Sequence, residues 1–299
     1  MTTTNESTIT QTSNPERKVP TRRISFEESL QAIPKHFAVD GDLISSHIAA
    51  GLSAVFPDGE DFFVRSVRHY RDQITDPQLK RQVAGFIGQE AMHGREHRAF
   101  NDRLAELGYP TKQVERFTKW GLELREKIAP AKANLAATAA LEHFTATLAE
   151  LVLTDDDTRE QFGHPAVRDL FAWHALEESE HKAVAFDVYK AVGGSERMRV
   201  WTMKALRYGF VIGMVFQVGI SLLFDRATYN PRRFFKSLNK VRKSKVMSRE
   251  IWEQLKEYEQ PNFHPDDRDC TELVDKWRTE LFGEEGTLND KLVGSSRAA

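Results

Sequence analysis

The chain has almost no cysteine. Cys270 stands alone in 299 residues, which excludes a disulfide framework, a cysteine-rich zinc site and a cysteine-held iron–sulfur cluster, and points to a reducing compartment. Charge of one sign is lacking as well. The 42 Lys and Arg nearly cancel the 44 Asp and Glu, leaving a formal net charge of −2, so no chain-wide basic field draws in nucleic acid and none is expected as a partner. Residues 1–23 are rich in Thr and Ser and hold no apolar run of the kind a signal peptide needs. They read as a disordered arm on a cytoplasmic protein. Alternating strand patterns of useful length are missing, which argues against a sheet. No Gly-x-Ser-x-Gly elbow is present to nominate a serine nucleophile.

What the chain does have is helical periodicity. Apolar residues recur at spacings of three and four over 56–67, 83–104, 135–151 and 167–188. Turn-like clusters interrupt them at Asp76-Pro77, Leu107-Gly108-Tyr109-Pro110, Ala129-Pro130, residues 154–157, Gly163-His164-Pro165 and Gly193-Gly194. The expected fold is all-α: a helical bundle over residues 24–200, a C-terminal helical extension over 201–283 packed on it, and a disordered tail over 284–299.

The extension opens with 17 uncharged residues, 208–224, whose one side-chain amide is Gln217. That length is at the lower edge of the roughly 17–25 residues that span a bilayer. Nine basic residues and no acidic one follow between 226 and 249. Two readings stand: an apolar helix beside a basic stretch contacts or enters the inner face of a membrane, or a buried core helix precedes a solvated basic one. Gly209, Gly213, Gly219 and Ser221 suit either.

Histidine is clustered. Seven of the ten lie between residues 69 and 181. Two segments read Glu-x-x-His: Glu90 with His93, and Glu178 with His181. Residues three apart share a helix face, so a carboxylate and an imidazole can reach one ion. The motif alone is weak, since chance predicts about one occurrence in a chain of this composition. The spacing around it is stronger. In an antiparallel helix pair, two groups at equal height have their turn midway between them. Glu60 and Glu90 have their midpoint at residue 75, beside Asp76-Pro77; Glu142 and Glu178 have theirs at residue 160, inside the turn-rich stretch 154–165. The stretch between His93 and Glu142 leaves room for one crossover.

This order matches the plan of a ferritin-like four-helix bundle with a dinuclear metal site: one Glu from each of two helices and Glu-x-x-His from each of the other two. The expected ligands are Glu60, Glu90, His93, Glu142, Glu178 and His181, with Glu90 and Glu178 bridging. Such oxygen and nitrogen donors suit two iron ions, with manganese or a mixed iron–manganese pair as alternatives. His97 and His174 share faces with these ligands and fall at one end of the site. With Glu90 and Glu178 they form the expected catalytic set, in supporting or substrate-side roles, a further ligand among them being an open alternative. Asp61 and Asp187 are candidates to hold the ligating imidazoles in one tautomer. Glu96, Glu177 and Glu180 read as surface charge, and His69, His143 and His164 receive no role. The competing reading leaves all these faces exposed and solvated.

The stretches 56–63 (FPDGEDFF), 89–93 (QEAMH), 173–182 (WHALEESEHK) and 262–266 (NFHPD) resemble a bacterial family described as predicted metal-dependent hydrolases, over about residues 22–283. The ligand order is also similar to the wider ferritin-like superfamily of di-iron oxygenases, desaturases and ferroxidases. The two resemblances imply different chemistry. The superfamily implies O2 activation at iron, oxidising a small apolar or lipid-like substrate with electrons from an unidentified donor. The family description implies hydrolysis by a metal-bound hydroxide. A non-catalytic iron-binding or ferroxidase module is the third alternative. Partners beyond substrate, O2 and donor are a peripheral membrane contact through 208–249 and a second copy in a homodimer.

Overall fold

A computed structural model describes residues 17–294. Among them every long element is helical, and the only bridge between extended segments joins Ile24 to Leu292. The fold is an all-α bundle.

The bundle has four long helices: α2 (Leu43–Arg68), α3 (Pro77–Glu106), α5 (Ala131–Thr154) and α7 (Pro165–His181). A short helix, α1 (Glu27–Leu30), precedes them. Each start has a local cause. The Asp42 side chain accepts the Ser45 amide to begin α2, and Asp76 accepts the Gln78 amide with Pro77 behind it to begin α3. His164 caps α7 in the same way, again with a proline at the first helical position. The turns fall where the midpoints of the carboxylate pairs require. α2 and α3 pack as one hairpin, and α5 and α7 as the other, with the short α6 (Asp156–Glu160) in its turn. The crossover between hairpins is itself a helix, α4 (Thr111–Ile128), which lies against α2.

Pro57 sits inside α2. It has no N–H, so the Ser53 carbonyl one turn earlier loses its helical partner. The Asn101 side-chain amide fills that vacancy from α3, donating to Ser53 O at 3.0 Å. A sequence feature that would break an isolated helix thus locks α2 to α3 beside Glu60.

The core is in two parts. One gathers Phe26, Leu30, Phe37, Phe100, Trp173 and Leu176; the other gathers Phe62, Phe86, Leu135, Val184, Phe186 and Tyr189. α2, α3 and α5 pass from one to the other, α8 carries the chain of α7 into the second, and the polar residues of the bundle interior fall between. Phe62, Phe86 and Phe100 are fully buried, each contributing about 1.5–3 kcal/mol by leaving water.

Beyond α7, α8 (Val184–Ala191) leads to α9 (Glu196–Leu223), α10 (Pro231–Arg242), α11 (Arg249–Glu257) and α12 (Thr271–Phe282). α9 packs one face on α5 and α2, burying Arg199, Met203, Arg207, Val218 and Leu222. Its other face is apolar and open: Ile212, Val215, Phe216 and Phe224 are each about 70% exposed. It is therefore not a buried core helix, since only 22% of its most apolar window is buried.

Residues 17–23, assigned by composition to a disordered arm, lie across α3. Gly85 and Gly88 make room there, because a Cβ on either would strike Val19 or Thr21. Residues 284–294, assigned to a tail, close over this segment: Ser25 N–H donates to Lys291 O and Val293 N–H to Arg23 O. Residues 1–16 and 295–299 lie outside the described part.

Candidate metal centre

Glu60 on α2, Glu90 and His93 on α3, Glu142 on α5, and His174, Glu178 and His181 on α7 meet between the two parts of the core. All are at most 4% exposed. Glu178 is central: its Oε1 lies 2.9 Å from His174 Nε2 and 3.6 Å from both His93 Nδ1 and His181 Nε2. Glu90 Oε1 is 3.0 Å from His181 Nε2 and 3.8 Å from His93 Nδ1. Glu142 approaches His181 Nε2 at 3.4 Å, and Glu60 approaches His174 Nε2 at 3.7 Å. Three overlapping groups could hold an ion: Glu60, His93 and His174; Glu90, His93 and Glu178; and Glu90, Glu142 and His181.

Every imidazole offers one nitrogen inward and has the other held by the protein, the arrangement that fixes a ligand's tautomer. His93 Nε2 meets Glu177 Oε2 at 3.1 Å. His181 Nδ1 meets Gln89 Oε1 at 2.9 Å, and the amide of Gln89 donates to Glu180 at 2.6 Å and to Pro20 O at 3.0 Å. His174 Nδ1 meets His97 Nε2 at 2.7 Å. Behind His97 stand Ser53 Oγ at 2.9 Å from its Nδ1, then Asn101 and Glu115. With an ion on His174 Nε2, every hydrogen bond in that row points outward: His174 donates to His97, His97 to Ser53, Ser53 to Asn101, and Asn101 to Glu115.

The sequence placed His174 in the catalytic set with ligation as an alternative; the structure puts it at the centre with Glu60 and His93. His97 stands behind it. Other expectations need correction. Asp61 holds no imidazole, since it is half exposed and accepts from Arg98. Asp187 pairs with His264 at 2.8 Å and Arg17 at 3.0 Å instead. Glu96, Glu177 and Glu180 are not surface charges but are at most 2% exposed. Glu96 accepts the Phe26 amide at 2.7 Å. Arg22 joins Glu177 at 2.9 Å to Glu180 at 2.7 Å, and Arg278 reaches Glu180 at 2.6 Å. Composition placed Arg22 in a disordered arm, and so hid the cation that makes these burials tolerable. The signal was there: three carboxylates at 177, 178 and 180 cannot all face water on a helix whose remaining faces carry Trp173, Leu176 and the histidines.

The donor set fits cations. Both carboxylate oxygens of Glu60, Glu90 and Glu142, Oε2 of Glu178, His93 Nδ1 and His181 Nε2 make no hydrogen bond although buried. Native interiors seldom leave so many polar atoms unsatisfied together. Protons are the only other compensation, and the electrostatics reflect it. Burial, then the neighbouring Glu90, Glu178 and Glu142, pushes Glu60 well above the usual carboxylate range. Burial lifts Glu142 likewise and Glu90 to about 7. Against burial, Glu178 and Glu142 hold His181 well above its ordinary value. Against burial again, His181 and His174 hold Glu178 well below its own. A second grouping, His36, His47 and Asp225, is less suited to a cation because the Lys35 ammonium lies 3.2 Å from Asp225.

A mostly apolar cavity of about 180 Å³ reaches the same centre, with Phe56, Phe171 and His174 among its walls.

These shifts set a pH dependence. Ligation needs ionised carboxylates and neutral imidazoles, whereas the metal-free centre favours protons on Glu90, on its raised neighbours and on His181. Binding of Mn(II) to chelator-treated protein is expected to release protons. Its affinity should fall about tenfold per pH unit for each proton displaced as pH drops through about 7. Calorimetry in buffers of different ionisation enthalpy checks this, and an affinity constant from pH 6 to pH 8 would contradict it.

Comparison with known proteins bears on the chain as a whole. No curated protein and no solved structure matches it. The family model described as predicted metal-dependent hydrolase matches residues 20–269, a span that includes all seven centre residues and Arg22. The chain belongs to the predicted metal-dependent hydrolase family.

Proposed function

We propose that the chain is a dinuclear metal-dependent hydrolase acting on a small substrate with an apolar portion. Glu60, His93 and His174 would hold one ion and Glu142 and His181 the other, with Glu90 and Glu178 available to both. The observation that carries this is the convergence of buried, unpartnered carboxylate and imidazole atoms on one point; the family supports the hydrolytic class. Four carboxylate charges match two divalent ions, which when bound supply Lewis acidity and a water acidic enough to attack at neutral pH. The chain's own residues do the rest. Glu177, Gln89 and His97 fix the three rings, and mostly apolar cavity walls flank the His174 side.

A second reading is oxidation of the substrate by O2 at an iron, or iron–manganese, pair fed by an external electron donor. One observation favours it: around His174 the cavity presents Phe56, Phe171 and Ala175, none of which can protonate a leaving group. Chelator-treated protein loaded with Zn(II), or anaerobically with Fe(II), separates the two. Zn(II)-dependent cleavage of p-nitrophenyl acyl esters, reduced at least about 100-fold in Glu90→Ala and His181→Ala, is the expected result. O2 consumption with Fe(II) and no cleavage with Zn(II) would replace hydrolysis by the second reading. Metal uptake without either activity would leave an iron-binding module.

We propose further that the open face of α9 lies on an anionic membrane surface. Its support is the match between the exposed Ile212, Val215, Phe216 and Phe224 and the neighbouring run of nine basic residues. Because the opposite face of α9 packs on α2, where Gln217 donates to Gly51 O at 2.9 Å, and on α5, where Phe210 meets Phe144, and also buries Arg199 and Arg207, the helix suits an interfacial position better than a span. The chain is expected to sediment with phosphatidylglycerol vesicles at low salt and to be released by about 0.5 M NaCl. No sedimentation, or a homodimer that persists beside the vesicles, would give this face to a second copy instead.

A further inference from the structure

The cavity beside the metal centre has two chemically different ends. Its inner end is Phe56, Phe171 and His174, all on bundle helices, with the Phe56 ring 4.8 Å from that of His174. Leu148 and Val152 of α5 continue the wall with apolar surface. The outer end is formed by the basic stretch after α9. Val246 and Met247 line it and are 43% and 62% exposed, so the cavity opens there. Lys240 lines it too and makes no ion pair among the described residues, while nearby Lys245 is already engaged by Asp155. Exposed Arg242 and Lys243 stand within three residues of Lys240 and are also unpaired among the described residues. An apolar cavity with His174 of the candidate metal centre on its inner wall and an unneutralised cation at its open end suits a ligand with two different ends.

We propose that this cavity binds a single acyl chain carrying an anionic head group. The tail passes between α2, α5 and α7 toward His174, and the head stays at Lys240. Its identity as substrate rests on the function proposed above, whereas binding itself needs no ion. A fatty carboxylate fits this chemistry. A neutral alcohol of the same length fills the slot but leaves the cation unused, and a two-chain phospholipid divides its apolar part between two branches, of which one slot takes one. The arrangement places the far part of the chain, not the head, nearest the metal centre. A saturated acyl chain holds no bond that water can cleave, so a hydrolase acting here needs an ester or amide group carried near the far end of that chain, with the carboxylate as the remote anchor; for an oxidase the carbon attacked is one remote from the head.

Calorimetric titration of full-length, chelator-treated protein with decanoate, decan-1-ol and dihexanoyl-phosphatidylglycerol tests the assignment. Decanoate is expected to bind one per chain. Lys240→Glu should weaken it at least about fivefold by reversing the charge at the head, and leave decan-1-ol within about twofold. Ala149→Phe, which fills the wall, should weaken both. Should that variant not fold, Lys240→Glu with the two ligands still decides. Absence of decanoate binding, an unchanged decanoate affinity in Lys240→Glu, or equal competition by the two-chain lipid would overturn the proposal. Because the titration is made without ions, such a failure leaves the dinuclear centre standing. Failure of metal uptake would remove the centre and leave decanoate binding intact.

Discussion

Burial of four carboxylates at one point is the constraint on which the rest of this structure depends. An uncompensated buried carboxylate costs several kcal/mol, and a whole domain is stable by only about 5–15 kcal/mol. Glu60, Glu90, Glu142 and Glu178 without compensating charge would consume that margin. The fold answers with opposing groups placed on three levels. Three imidazoles stand among the carboxylates; Arg22 and Arg278 neutralise Glu177 and Glu180 behind them; and unpartnered oxygens are left pointing at one another, ready for cations.

That constraint explains features that look unrelated. The segment 17–26 must cross α3, because it brings Arg22 to α7 and the Phe26 amide to Glu96. The two glycines at 85 and 88 let it approach. The C-terminal residues up to 294 cover it, so the two ends of the described chain close the bundle over the charges behind the metal centre. On the α2 side, Pro57 frees the Ser53 carbonyl, Asn101 takes it, and the same Ser53 hydroxyl supports His97. A helix defect is thereby turned into the anchor for a histidine that fixes His174.

The helical bundle, its two hairpins and the meeting of Glu60, Glu90, His93, Glu142, Glu178 and His181 were legible in the sequence, because equal height in an antiparallel pair is a matter of counting residues to a turn. The role of His174 was half legible: its place four residues before Glu178 puts it on the right face, but not at a given depth. Glu96, Glu177, Glu180 and Arg22 were misjudged for one reason. Burial of a charge depends on a partner distant in sequence, and composition over 17–23 carries no trace of the α7 carboxylates it meets. Asp61 failed conversely: it adjoins a centre residue, and adjacency on a helix rotates the side chain to another face. For α9, hydropathy alone could not separate lipid from core, and the structure presents a helix with one packed and one open face.

The interior is proposed as a two-ion site. Crystals of the protein grown after reconstitution with Mn(II), with anomalous diffraction at the manganese edge and metal analysis of the same batch, test it most directly. Two ions per chain are expected, one among Glu60, His93 and His174 and one between Glu142 and His181, both touching Glu90 and Glu178. A single ion, none, or an ion on His36, His47 and Asp225 with the bundle centre empty would contradict it.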